Sequence, residues 1–107
     1  MKITTQAQLN IYTACAHADK EHPATREQLR RLTGMPDRTV RKEIELLRKN
    51  GLRICSTTGK AGYWLAKTEA EYKDFRRNYG SRLWEGMRTL QAMDNATEGQ
   101  MELSEEK

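Results

Sequence analysis

The chain has 107 residues, of which 32% are charged and 36% hydrophobic, with a net charge of +4. That length fits one small domain with extensions and excludes two independent cores. Residues 1–67 carry 13 Lys or Arg against 6 Asp or Glu, a net of +7, and residues 68–107 carry 6 against 9, a net of −3. A polyanion therefore suits the first two-thirds, and nucleic acid suits it better than a membrane surface because no strongly apolar amphipathic face accompanies the basic charge.

Thr5 and Gln8 form a capping-box signature, and Leu9, Tyr12 and Ala16 follow at helical spacing with Cys15 beside them. This predicts a first helix over about Thr5 to Asp19. Lys20 to Ala24, with His22 and Pro23, breaks it. Thr25 and Gln28 repeat the capping signature for a short helix through Thr33, with Leu29 and Leu32 on its buried side. Arg26, Arg30 and Arg31 remain outside, where they either touch a phosphate backbone or stay solvated.

Gly34 can end that helix in a left-handed cap, and Pro36 or Asp37 marks the start of the next. Val40, Ile44 and Leu47 recur at i, i+4 and i+7, the seam of a helix that runs to Gly51. Arg38, Lys42, Glu45 and Lys49 fall opposite this seam, with Thr39 and Arg41 flanking them. A helix, a tight turn and a second helix with a basic outer face meet the needs of major-groove insertion. The same pattern also fits an ordinary core helix with a solvated basic face.

After Gly51 the period falls to two. Leu52, Ile54 and Ser56 alternate with Arg53 and Cys55, a turn-rich Thr57 to Gly62 follows, and Tyr63-Trp64-Leu65 resumes a β-prone run. The expectation is a β-hairpin with Thr57, Thr58 and Lys60 at its tip. Gly59 and Gly62 there can adopt positive φ and let the backbone approach another molecule. The Walker pattern GxxxxGK[ST] is absent, so nucleotide binding has no support.

Leu29, Gly34-Met35, the Val40/Ile44 seam, Leu47-Arg48 leading to Gly51, and Gly62-Tyr63 closing the hairpin together resemble the winged helix-turn-helix of the biotin operon repressor N-terminal type. The resemblance covers about Thr5 to Ala66. The chain is also similar to small winged-helix proteins of phages and prophages, in which such a domain precedes one long helix. The fold implied is mainly α (α+β): a winged helix-turn-helix with a two-stranded wing and a long C-terminal helix. The resemblance implies base contacts from Arg38, Thr39, Arg41 and Lys42, with Lys60 on the wing reaching a groove or phosphate. Pro36 and Asp37 depart from the family, which commonly has a serine cap and a small or polar residue there, and they bring an acidic group near the phosphates. No biotin-ligase domain follows, so that activity does not carry over.

Thr68 and Glu71 form a third capping signature, and no proline interrupts the chain before Asp94. Tyr72, Phe75, Tyr79, Leu83, Met87, Leu90 and Met93 or Asp94 step by threes and fours, with Trp84 beside the stripe. A helix of that length exceeds what the small domain covers. Tyr72 to Tyr79 are expected to pack back on the domain, and Leu83, Trp84, Met87 and Leu90 to join a second copy. A fold-back at Gly80 or Gly86 is the alternative, and those glycines suggest a kink or a close helix contact. The expected domains are 1–67, a winged helix-turn-helix; 68–93, an amphipathic helix; and 94–107, an acidic, disordered tail.

Cys15 and Cys55 show no metal-ligand spacing, and no stretch has a membrane-spanning apolar run, so the expectation is a cytoplasmic protein with reduced core thiols and no metal or cofactor. His17 and His22 lack partners for acid–base or nucleophilic work, so no enzyme is expected. The functional expectation is sequence-specific binding of double-stranded DNA by a homodimer acting as a small transcription regulator or phage-type DNA-transaction factor. An excisionase-like architectural protein and a winged helix used as a protein-interaction module are the alternatives.

Overall fold

The computed structural model describes residues 3–57 and 62–96 and divides into two compact units, Met1–Phe75 and Arg76–Lys107. The predicted hairpin tip, with Thr58, Gly59 and Lys60, and the tail beyond residue 96 lie outside the described residues. The element order is α1 (Gln6–Ala16), β1 (Ala24–Thr25), α2 (Arg26–Thr33), α3 (Asp37–Lys49), β2 (Ile54–Ser56), β3 (Gly62–Leu65) and α4 (Glu69–Asn95). The chain is thus mainly helical with a small antiparallel sheet.

Each predicted N-cap forms, although none closes the full reciprocal box. The Thr5 hydroxyl accepts from the Gln8 backbone N–H at 3.1 Å, and Thr25 accepts likewise from Gln28 at 3.0 Å. At α4 the Thr68 hydroxyl accepts from the Glu71 N–H at 3.1 Å. The returning side chains of Gln8 and Glu71 miss the cap and accept from the N–H one residue earlier, on Thr4 at 3.0 Å and Lys67 at 2.8 Å.

The first helix stops at Ala16 instead of reaching Asp19. Asp19 and His22 exchange both backbone hydrogen bonds at 3.2 Å, and the Asp19 carboxylate also accepts the His22 N–H at 2.7 Å. This tight turn takes the residues that would have continued the helix and delivers Ala24 to a sheet. That bond to the His22 N–H holds the Asp19 carboxyl below its usual pKa.

The sheet has three strands in the order β1-β3-β2, where the sequence pattern suggested two. β1 pairs Ala24 with Tyr63 and Thr25 with Gly62, and β2 pairs Ile54, Cys55 and Ser56 with Leu65, Trp64 and Tyr63. A two-residue strand has no alternation to read. Gly62 does not adopt positive φ; the described glycines that do are Gly34 (+72°) and Gly51 (+97°). Gly62 is required because a Cβ there would lie 2.6 Å from Pro23 Cβ and 3.2 Å from the Ala24 carbonyl oxygen. The close approach is to its own chain.

The core joins Ile11 and Cys15 of α1, Leu29 of α2, the Val40/Ile44/Leu47 seam of α3, and Ile54, Cys55 and Trp64 of the sheet. The buried face of α1 is Gln8, Ile11 and Cys15, one residue out of phase with the predicted Leu9, Tyr12 and Ala16. Gln8 can be buried because its amide donates to the Glu43 carboxylate at 2.8 Å and its carbonyl accepts from Thr4. Leu32, expected inside, is 47% exposed and instead lines the rim of a groove between α1 and α2 with Leu9. Both cysteines are buried free thiols, and burial pushes Cys15 up to about 12 and Cys55 to about 11.

The 27 residues of α4 would extend about 40 Å. Its first turns belong to the first unit. There Arg53 donates to Glu69 at 2.8 Å, which lowers the Glu69 pKa, and its guanidinium lies 4.0 Å from the Tyr72 ring centroid. Phe75 packs on the core cluster. In the second unit Leu83, Trp84, Met87, Leu90 and Met93 are 54–66% exposed. The helix continues unbroken past Gly80 and Gly86 to Asn95, so no fold-back occurs at either glycine and the helical part overlaps the start of the predicted tail. Beyond the surrounding helix backbone, a Cβ on either glycine would meet nothing among the described residues within 4 Å.

Candidate nucleic-acid interface

The two helices that present the basic residues are joined by Gly34, Met35 and Pro36. Gly34 closes α2 in the left-handed conformation, its N–H donating to the Arg30 carbonyl at 2.8 Å. The Thr33 hydroxyl donates to the Leu29 carbonyl at 2.8 Å and accepts from the Met35 N–H at 3.2 Å, which fixes the exit from α2. Pro36 then begins α3 without a side-chain cap. Asp37 in the first turn supplies negative charge where the helix dipole favours it.

Asp37 also organises the candidate contacts. Arg26 of α2 binds it bidentately, Nε to Oδ1 at 3.0 Å and a terminal nitrogen to Oδ2 at 3.2 Å. Arg41, one turn along α3, reaches Oδ2 at 3.2 Å. Two guanidiniums and one carboxylate thus form a cluster of net +1 across the α2–α3 junction. The Asp37 side chain is 23% exposed and both arginines are at least half exposed, so water screens these pairs and their contribution to stability is modest. The geometry matters more, because it holds Arg26 and Arg41 side by side.

Arg38 and Lys42, two residues before and after the fully buried Val40, are exposed, and Thr39, next to Val40, is half-buried. Among the described residues, neither Arg38 nor Lys42 takes part in an ion pair. Arg30 sits apart from this group: it pairs with Glu27 at 3.2 Å, which Arg31 shares at 3.5 Å. The structure therefore brings Arg26 and Arg41 together on Asp37, carries Arg38, Thr39 and Lys42 on the same helix as Arg41, and directs Arg30 into a local pair. Lys60 lies outside the described residues.

Two side chains with no distinguishing sequence pattern position this surface. Arg48, near the end of α3, donates from Nε to the Ile54 carbonyl at 2.8 Å and from a terminal nitrogen to Ser56 Oγ at 3.3 Å. Its guanidinium also lies 5.9 Å from the Tyr63 ring centroid and 5.1 Å from that of Phe75. One side chain ties α3 to both strands and to the start of α4. Gln8–Glu43 braces α1 against α3 in the same way. The Asp37–Arg41 pair at i,i+4 could be read from sequence, whereas Arg26–Asp37, eleven residues apart, could not.

The groove between α1 and α2, of about 400 Å³, is open and lined by Leu9, Asn10, Thr13, His17 and Leu32 among others. Within it His17 Nδ1 lies 2.9 Å from the Thr13 carbonyl oxygen. Among the described residues no group of three His, Cys, Asp or Glu could hold a metal ion, and no helix is long and apolar enough to cross a membrane. Comparison of the chain with models of protein families, with curated proteins and with solved structures gave no match.

Proposed function

We propose that the first unit is a winged helix-turn-helix that binds double-stranded DNA, with α3 entering the major groove. The observation that carries this reading is the two-sidedness of α3. Val40, Ile44 and Leu47 are 0–1% exposed and lock one face into the core, while Arg38, Arg41 and Lys42 stand on exposed positions of the other. A helix held so firmly presents its basic side chains at fixed positions, which reading base edges requires. Arg26 lies beside this face through Asp37 and supplies a phosphate contact. The Asp37 carboxylate competes with phosphate for both arginines, so it lowers non-specific affinity while keeping the pair aligned. The β2–β3 hairpin acts as the wing, and Lys60 falls between its two strands in the sequence.

In this reading the chain works as a small transcription regulator or phage-type DNA-transaction factor in the cytoplasm, where the thiols of Cys15 and Cys55 stay reduced. The exposed Leu83, Trp84, Met87 and Leu90 join two copies, so that two α3 helices meet one duplex.

Fluorescence anisotropy on random duplex at several salt concentrations tests the reading. A DNA binder shows a steep negative slope of log K against log salt. The Arg38→Ala/Arg41→Ala/Lys42→Ala variant should lose most of the affinity with its stability unchanged, and Lys60→Ala should make the slope shallower by about 1. Wild-type affinity in the triple variant would remove α3 from the interface. Selection from a random DNA pool then separates roles: a palindromic site fits a dimeric regulator, and repeated sites fit an architectural protein.

A further inference from the structure

The second unit offers an exposed apolar stripe with a charge at each end, and the two charges have opposite sign. At about 100° per residue, Tyr79, Leu83, Gly86, Met87, Leu90 and Met93 fall within an arc of about 120° on α4. Arg76 and Asp94 fall inside the same arc and at the same angle as each other, since about five full turns separate them. All of these residues except Tyr79 are exposed. A charge placed within an apolar stripe sets register and orientation when two helices pair.

We propose that this segment pairs antiparallel with the same segment of a second copy, Arg76 of each chain lying against Asp94 of the other. A two-fold axis beside Glu85 sets Leu83 opposite Met87, Gly80 opposite Leu90 and Arg76 opposite Asp94, and each of these pairs occurs twice. Trp84 of both chains flanks the axis, where two large rings close the apolar centre. The Gly86 residues of the two copies meet on the other flank. A glycine in a helix interior costs about 1 kcal/mol relative to alanine, a cost that a close helix contact at that point would offset. Beyond the surrounding helix backbone, nothing among the described residues comes within 4 Å of a Gly86 Cβ, and close approach of a second helix would use that space.

The parallel arrangement fails on the same residues. It would set Arg76 against Arg76 and Asp94 against Asp94 within the apolar seam, two like-charge contacts in place of two opposite-charge ones. The antiparallel pair instead separates the two copies of Arg76 by about 27 Å along the helix axis.

The proposal rests on the reading that distal α4 joins two copies and is independent of DNA binding. Sedimentation equilibrium of the full chain at micromolar concentration tests it. The wild type is expected at twice 12.4 kDa. Arg76→Asp and Asp94→Arg should each raise the dimer dissociation constant by about tenfold or more, because each converts two attractive pairs into repulsive ones. The Arg76→Asp/Asp94→Arg double variant should return to near the wild-type value, and that recovery also excludes misfolding as the cause of the single-variant losses. A monomeric wild type overturns the pairing, as does a dimer indifferent to the single changes or one that the double variant does not restore. Anisotropy on random duplex with the same preparations keeps the two readings apart. A monomer with a steep salt slope would leave DNA binding standing, whereas a charge-sensitive dimer with no affinity for duplex would leave the pairing standing alone.

Discussion

Two helices of this chain carry the same kind of apolar stripe and meet different fates. In α3, Val40, Ile44 and Leu47 are fully covered, by α1, α2 and the sheet. In the distal part of α4, Leu83, Met87, Leu90 and Met93 are more than half exposed. Spacing alone does not distinguish them, since both step by threes and fours. The difference lies in the neighbours. The α3 seam is surrounded by α1, α2 and the sheet of the same chain, and Arg48 pins it to β2. An amphipathic period therefore establishes that a face wants cover and leaves open whether the chain itself supplies it.

The largest expected effect breaks that contrast at the residue level. Ile44→Ala should destabilise the first unit by about 2–5 kcal/mol, because it empties a fully enclosed site. Leu90→Ala should stay within about 0.5 kcal/mol at concentrations where the chain is monomeric, as a change at an exposed position does. Urea denaturation followed by circular dichroism compares them, and equal losses would mean that the distal stripe is covered within one chain.

Gly62→Ala is the next largest. The added methyl would meet Pro23 where β1 joins β3, and the overpacking should cost about 1–3 kcal/mol. Gly86→Ala should instead stabilise isolated α4 slightly, by up to about 1 kcal/mol. Thermal melts of the two variants in opposite directions would sharpen the distinction between a glycine the fold needs and one the monomer does not.

The smallest effect at neutral pH concerns the thiols. Cys15 and Cys55 should resist alkylation at pH 8, since burial holds both thiols protonated, whereas a thiol introduced by Met87→Cys should react promptly in dilute solution and more slowly as concentration rises. Raised folded-state values also determine how stability changes with alkali. Below the ordinary thiol value of 9.0 the contribution is fully present. As pH rises from there towards about 12, the unfolded chain ionises first and stability is lost. Rapid modification of Cys15 in the folded chain at pH 8 would contradict its enclosure.

Local chemistry determined a great deal here. The threonine caps, the left-handed Gly34, the α3 seam and the long uninterrupted α4 were all legible because each depends on residues within one or two turns. The basic outer face of α3 was legible for the same reason. Tertiary structure alone decided that α1 turns Gln8 and Ile11 inward, which rests on Glu43, thirty-five residues away. It alone drew Ala24 into a third strand, closed Gly62 onto Pro23, and put Arg26 on the carboxylate that Arg41 shares. These contacts join residues distant in sequence, and the free energy of such a contact exists only when both partners arrive, so no window along the chain contains it.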